Sequence, residues 1–160
     1  MLKIKFIVLG TLSEKHWKDA CEEYKKRLGA ACKITEIQLK EEKLPQNPSD
    51  AEIKAALDAE AKKILSEISP RSITVSLCVE GKQLSSPELA AYIDKKTSEG
   101  ASEINFIIGS SYGLSPKVKE SSDLRLSMSK LTFPHQLARV MLYETVYRAC
   151  EINRGTKYHK

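Results

Sequence analysis

The sequence predicts an α/β fold, a largely parallel sheet between helices, and three observations carry that prediction. Short apolar runs rich in Ile, Val and Phe alternate with longer segments of helical periodicity, the pattern of strand-helix units. Several of those runs are apolar at nearly every position, as strands covered on both faces are. No internal repeat, linker or low-complexity stretch interrupts the 160 residues, a length that suits one compact domain with a full core.

Leu2 to Leu9 superimposes apolar residues on the alternation of Ile4, Phe6 and Val8, so a first strand with two buried faces is expected, closed by Gly10. From Ser13, the helical spacing of Trp17, Ala20, Cys21, Tyr24 and Leu28 predicts a helix that stops at Gly29. Lys33 to Leu39 reads as the second strand, and the charged, proline-containing "KEEKLPQNPSD" as a surface loop. Ser49 with Glu52 three residues on forms a capping box ahead of the stripe Ile53, Leu57, Ala61, Ile64, Leu65 and Ile68. A third strand is expected over residues 72–79. Pro87 suits the first turn of the next helix, which ends near Gly100. "EINFII" is the fourth strand, Ser115-Pro116 opens a short helix, and "LRLSMS" is a weak fifth strand. Pro134 opens the last helix, through about Ile152, leaving the tail "NRGTKYHK".

The composition, 41% hydrophobic and 29% charged, is that of a globular chain. Phe6–Leu9 is too short for a signal peptide, and no run approaches the roughly 20 apolar residues of a membrane span, so a cytoplasmic location without membrane contact is expected. Cys21, Cys32, Cys78 and Cys150 lie far apart with no C-x-x-C pair, which fits small buried side chains and calls for no metal. The net charge of +5 is concentrated: residues 124–160 hold seven basic and two acidic side chains, and the rest of the chain balances to zero. A polyanion such as RNA would be met by that last quarter.

Two loops carry the candidate chemistry. Gly109-Ser110-Ser111-Tyr112-Gly113 satisfies G-x-S-x-G, with Asp123 and His135 as formal triad partners of Ser111. A nucleophile elbow needs a helix directly after the serine, however, and none can start before Ser115. The chain also lacks the glycine patterns of dinucleotide and phosphate-loop folds. What remains is a loop at the carboxyl end of a parallel strand, where open α/β sheets bind ligands, with Gly109 at a tight turn or close approach. The second region is "LSMSKLTFPHQLARVMLYETVYRACEINRGTKYHK". In it His135 sits at the positive end of a helix, where an uncharged imidazole is favoured. Glu144 and Arg148 are four apart in the order that favours an ion pair, and the tail gathers Arg154, Lys157, Tyr158, His159 and Lys160.

Those segments, with "IIGSSYGLSP", "VSLCVEGKQLSS" and the opening "KIKFIVLG", closely resemble the SPOUT methyltransferases, and among them the ribosomal large subunit methyltransferase H family, which makes N3-methylpseudouridine in 23S ribosomal RNA. The resemblance covers essentially the whole chain. It implies a C-terminal trefoil knot, S-adenosylmethionine held in it, a homodimer whose sites combine both subunits, and 23S rRNA in the large subunit or the whole ribosome as partner. Leu77, Gly109, Met128, Ser129, Lys130, Leu131, Thr132 and Phe133 would line the cofactor. His135, Arg139, Arg154, Tyr158 and His159 would face the RNA and the reacting base. The resemblance further implies His135 or a partner's His159 as proton acceptor, Arg139 and Arg154 as anion-holding groups, and Tyr158 as a stacking ring.

Two departures from the family pattern bear on cofactor affinity. The usual paired glycines are Gly109-Ser110 here, which would strain Ser110 if its φ must be positive, and the usual Leu-Asp pair is Leu77-Cys78. Two further readings share these residues: a SPOUT enzyme acting on transfer RNA, and a ribosome-binding factor that has lost catalysis.

Overall fold

The computed structural model describes residues 1–160. In chain order the elements are β1 Lys3–Leu9, α1 Lys15–Leu28, β2 Lys33–Leu39, α2 Asp50–Ser66, β3 Ile73–Gln83, α3 Ser86–Ser98, β4 Glu103–Ile108, α4 Pro116–Ser121, β5 Leu124–Ser127 and α5 His135–Asn153. The five strands form one sheet in the order β2-β1-β4-β3-β5, every pairing parallel. The expected α/β sandwich around a parallel sheet is what the chain forms.

The apolar character of β1 follows from that layering. Ile4, Phe6 and Val8 turn to the face covered by α1, α3 and α5, while Ile7 and Leu9 turn to the face covered by α2 and α4. Both sets are fully buried, so neither could be polar at low cost. Phe6 anchors the larger core, its ring centroid 4.1 Å from that of Tyr143 and 5.9 Å from that of Phe106. On β4 the same alternation breaks once: Asn105 faces the thinner α2/α4 layer, fully buried, and its amide donates to Ser72 Oγ at 2.7 Å.

Local signals set most boundaries. The Ser49–Glu52 capping box is formed at both of its hydrogen bonds. A second box, Ser85 with Glu88, starts α3, so the hydroxyl before Ser86-Pro87 determines that boundary along with the proline. Gly29 ends α1 as expected, in a right-handed conformation, φ −58°. One expectation changes. The third strand runs on past Val79 to Gln83, because the chain bulges outward after Leu77 and resumes pairing at Lys82, both residues meeting Leu126 of β5. Gly81 permits that passage: a Cβ there would sit 2.8 Å from the Arg125 carbonyl and 2.9 Å from the Leu126 carbonyl carbon.

Candidate active site

Parallel pairing puts the carboxyl ends of β3, β4 and β5 side by side, and the segments leaving them enclose a cleft of about 580 Å³. Its wall is Leu77–Glu80, Ile108–Leu114 and Leu126–His135 without Lys130, with Ala138 of α5 and Lys119 of α4. Half of the lining is apolar.

The β4 loop owes its shape to two glycines. A Cβ on Gly109 would lie 2.6 Å from the Gly113 carbonyl carbon and 2.9 Å from Leu114 Cδ2, so the turn can close only on glycine. Gly113 takes the left-handed φ of 82° and donates its N–H to Ser110 O at 2.8 Å. Ser110 itself avoids positive φ, so the strain considered for it does not arise. Its hydroxyl instead donates to Glu60 Oε1 at 3.0 Å, while Glu60 Oε2 accepts the Glu42 N–H at 3.0 Å. One buried carboxylate of α2 thus ties this turn to the loop after β2.

On the β5 side Ser129 organises the turn: Ser127 Oγ donates to Ser129 O and the Leu131 N–H to Ser129 Oγ, both at 3.0 Å. Lys130 points away from the cleft into solvent. Val79, Tyr112 and Leu131 form an exposed apolar rim, Leu131 being 70% accessible. Glu80 and Lys119 pair across the mouth, and this partner holds the Glu80 carboxyl below its usual range. Burial, reinforced by the Glu80 charge, pushes the Cys78 thiol up.

A hydrolase reading fails on geometry. Asp123 accepts the Thr74 N–H at 2.8 Å, at the start of β3, whereas Ser111 follows the carboxyl end of β4, at the opposite end of the parallel strands. Ser111 lies exposed on the cleft wall.

The five residues expected to face the substrate divide into three groups. His135 is the first residue of α5 and lines the cleft. Arg139, one turn later, does not: it is 1% exposed, and its Nη2 donates to Leu9 O and Gly10 O, both at 3.0 Å. At the end of β1 this buried guanidinium satisfies Leu9 O and shares Gly10 O with Gln38 Nε2, so Arg139 is a structural residue opening only onto a separate hollow beside Cys21 and Glu36. Arg154 caps the far end of α5, and Tyr158 and His159, in the tail beyond it, fold back to Glu144 and Arg148 nearer the middle of the helix. Nineteen helical residues at about 1.5 Å each put roughly 28 Å between the two ends. Arg154 Nη1 is held by Glu151 Oε1 at 2.6 Å and Arg148 by Glu144, which leaves Arg125, Lys130, Lys157 and Lys160 as the basic quarter's cations outside the buried Arg139 that have no carboxylate partner. No three His, Cys, Asp or Glu side chains gather as a metal site, and no helix is long and apolar enough to cross a membrane. Lys119, Glu80 and Ala138 were not singled out from sequence. The register of β3 brings Glu80 to the cleft, the path of α4 brings Lys119, and Ala138 stands three residues after His135 on α5.

The family model described as "Predicted SPOUT methyltransferase" matches residues 2–159. Two proteins of Streptococcus thermophilus, strains CNRZ 1066 and ATCC BAA-250, each called ribosomal RNA large subunit methyltransferase H, are 47% identical to the chain over 159 residues, covering 99% of it and all of theirs. Among solved structures, a probable methylase family protein from Haemophilus influenzae Rd KW20 superimposes with a TM-score of 0.52 at 14% identity, over 98% of this chain and 70% of the other. At that identity the match speaks for the fold alone.

Proposed function

The chain belongs to the SPOUT methyltransferase family, and from that premise we propose that it methylates N3 of a pseudouridine in 23S ribosomal RNA, on the large subunit or the assembled ribosome, in the cytoplasm. The names of its full-length relatives support ribosomal RNA as the substrate class. The methyl donor is S-adenosylmethionine, bound in the cleft inside a trefoil thread, and the working unit is a homodimer.

The cleft fits such a donor. Its volume of about 580 Å³ falls in the range of small-ligand sites, and the apolar side chains of Leu77, Ile108, Leu114, Met128 and Phe133 suit a flat heterocycle. Gly109 fits a wall made of main chain, because no side chain can grow from it into the space. When bound, the donor supplies an electrophilic methyl carbon. The protein's task is then alignment and removal of one imide proton. His135, at the cleft edge, or His159 accepts that proton. Arg154 holds RNA phosphate or the developing charge on the ring, and Tyr158 stacks on a base or ribose. Arg139 acts through the end of β1.

The observation that carries the dimer is the separation along α5. His135 is at the cleft, whereas Arg154 is roughly 28 Å away at the other end of α5 and Tyr158 and His159 lie over Glu144 and Arg148, roughly 14–20 Å along it, so a complete set needs a second chain to bring its tail.

The test pairs two defective chains. Gly109→Val impairs the cleft, and a chain lacking residues 158–160 impairs the tail. Co-expressed, they form mixed dimers with one intact combined site, and about a quarter of wild-type transfer to ribosomes is expected where each alone gives almost none. No recovery would end the shared-site reading. Offering ribosomes and transfer RNA separately decides the substrate class: labelled methyl groups appearing in transfer RNA would overturn the ribosomal assignment.

A further inference from the structure

Residues beyond a helix end are disordered unless something holds them, yet this tail is folded back along α5. Gly155 turns the chain at φ 68°, its N–H reaching Ile152 O at 3.0 Å, and the Thr156 N–H reaches Glu151 O at 3.1 Å. Thr156 Oγ1 then donates to Glu151 Oε2 at 2.8 Å.

Beyond this hairpin the tail meets a prepared surface. Tyr158 Oη donates to Glu144 Oε2 at 3.3 Å, and its ring centroid lies 4.6 Å from the guanidinium carbon of Arg148 and 4.8 Å from the Tyr147 ring, edge on. Arg148 Nε donates to Glu144 Oε1 at 2.8 Å, and Arg148 Nη1 stands 3.5 Å from His159 Nδ1. One carboxylate therefore serves two partners, one oxygen each, and one guanidinium joins it to the Tyr158 ring and the His159 imidazole. Tyr158 is half-buried while Lys157, His159 and Lys160 are exposed, so the tail is gripped at one residue and presents the next. An ordinary surface ion pair at this helical spacing has no need of a third and fourth group.

Resting on the reading of function above, we infer that Glu144 and Arg148 are positioning residues that clamp Tyr158 against α5 and so hold His159 in place for the cleft of a second copy. Neither touches the reacting atoms. Their contribution is the alignment of a group delivered by an otherwise mobile segment, where misplacement by about 1 Å can cost on the order of a hundredfold in rate.

The experiment uses the full-length protein with Glu144→Ala, Arg148→Ala and the conservative Glu144→Gln and Arg148→Lys. Amide exchange over residues 156–159 reads the tail, calorimetry with S-adenosylmethionine reads the cleft, and steady-state transfer to ribosomes separates kcat from KM. The alanine variants are expected to lose protection of the tail and about tenfold or more in kcat, with donor affinity unchanged and KM for ribosomes within about twofold. The conservative variants should recover part of both. Loss of protection with wild-type kcat would overturn the clamp, and so would a fall in kcat with protection intact, which would make these residues RNA contacts. Protection needs no substrate, so a wild-type protein that methylates no ribosomal RNA fails the reading of function while the clamp is still decided by exchange.

Discussion

The two ends of α5 are built on opposite principles. At its start, around His135, the surroundings are three chain reversals whose form depends on the main chain: Gly109 packed against Gly113, Ser129 bonded to its neighbours' backbone, and a bulge at Gly81 beside β5. At its end, around Tyr158, the surroundings are side chains of opposite charge and aromatic rings. Between them Leu142, Tyr143, Val146 and Ala149 are completely buried against the sheet, so the helix is a fixed strut. The difference teaches that binding geometry is kept by backbone shape, which a single Cβ can ruin. Presentation of the tail is kept by side-chain chemistry, which fails in steps.

Changes at each end should therefore separate cleanly. Removing residues 158–160 has the largest expected effect, a loss of about a thousandfold in methyl transfer with donor affinity unchanged, followed with labelled donor and by calorimetry. Equal loss of donor binding would show the two ends are not independent. Gly109→Val should do the reverse, weakening donor binding by about a hundredfold, some 2.7 kcal/mol, with tail amide protection preserved. Arg139→Met tests the strut between them: leaving Leu9 O without its partner and Gly10 O with Gln38 Nε2 alone should lower unfolding stability in urea by about 1–3 kcal/mol, and transfer per folded molecule should hold.

The smallest effect belongs to Glu80 at the cleft mouth. Its carboxyl is held below the usual 4.5 by Lys119, so its stabilisation is present above that value and is lost as pH falls through the lowered folded one. Glu80 is exposed even though Lys119 is half-buried, and Glu80→Gln should cost only a few tenths of a kcal/mol at neutral pH and nothing near pH 2, read from urea midpoints.

Much of the scaffold was legible because its signals are local. Alternation doubled with apolar residues marked β1 as a central strand, Ser49 and Glu52 marked the start of α2, and Pro134 the start of α5. The cleft loops were legible as places, with Gly109 as a close approach. Their consequences were less so. Ser110 looked strained against the paired-glycine pattern, yet the left-handed residue of this turn is Gly113, three positions on. Arg139 looked like a charge for RNA, yet the two carbonyls at the end of β1 claim it, and they lie some 130 residues away in sequence.

What the sequence determined by itself was everything governed by neighbours within a few residues: helix caps, strand faces, turn glycines and the Glu144–Arg148 pair. The tertiary structure alone decided which carboxyl ends stand together, which cation is buried, and that Tyr158 folds back onto a helix whose other end forms the cleft. Such choices depend on contacts between segments distant in the chain, where burial and unsatisfied polar groups outweigh the preference of any one stretch.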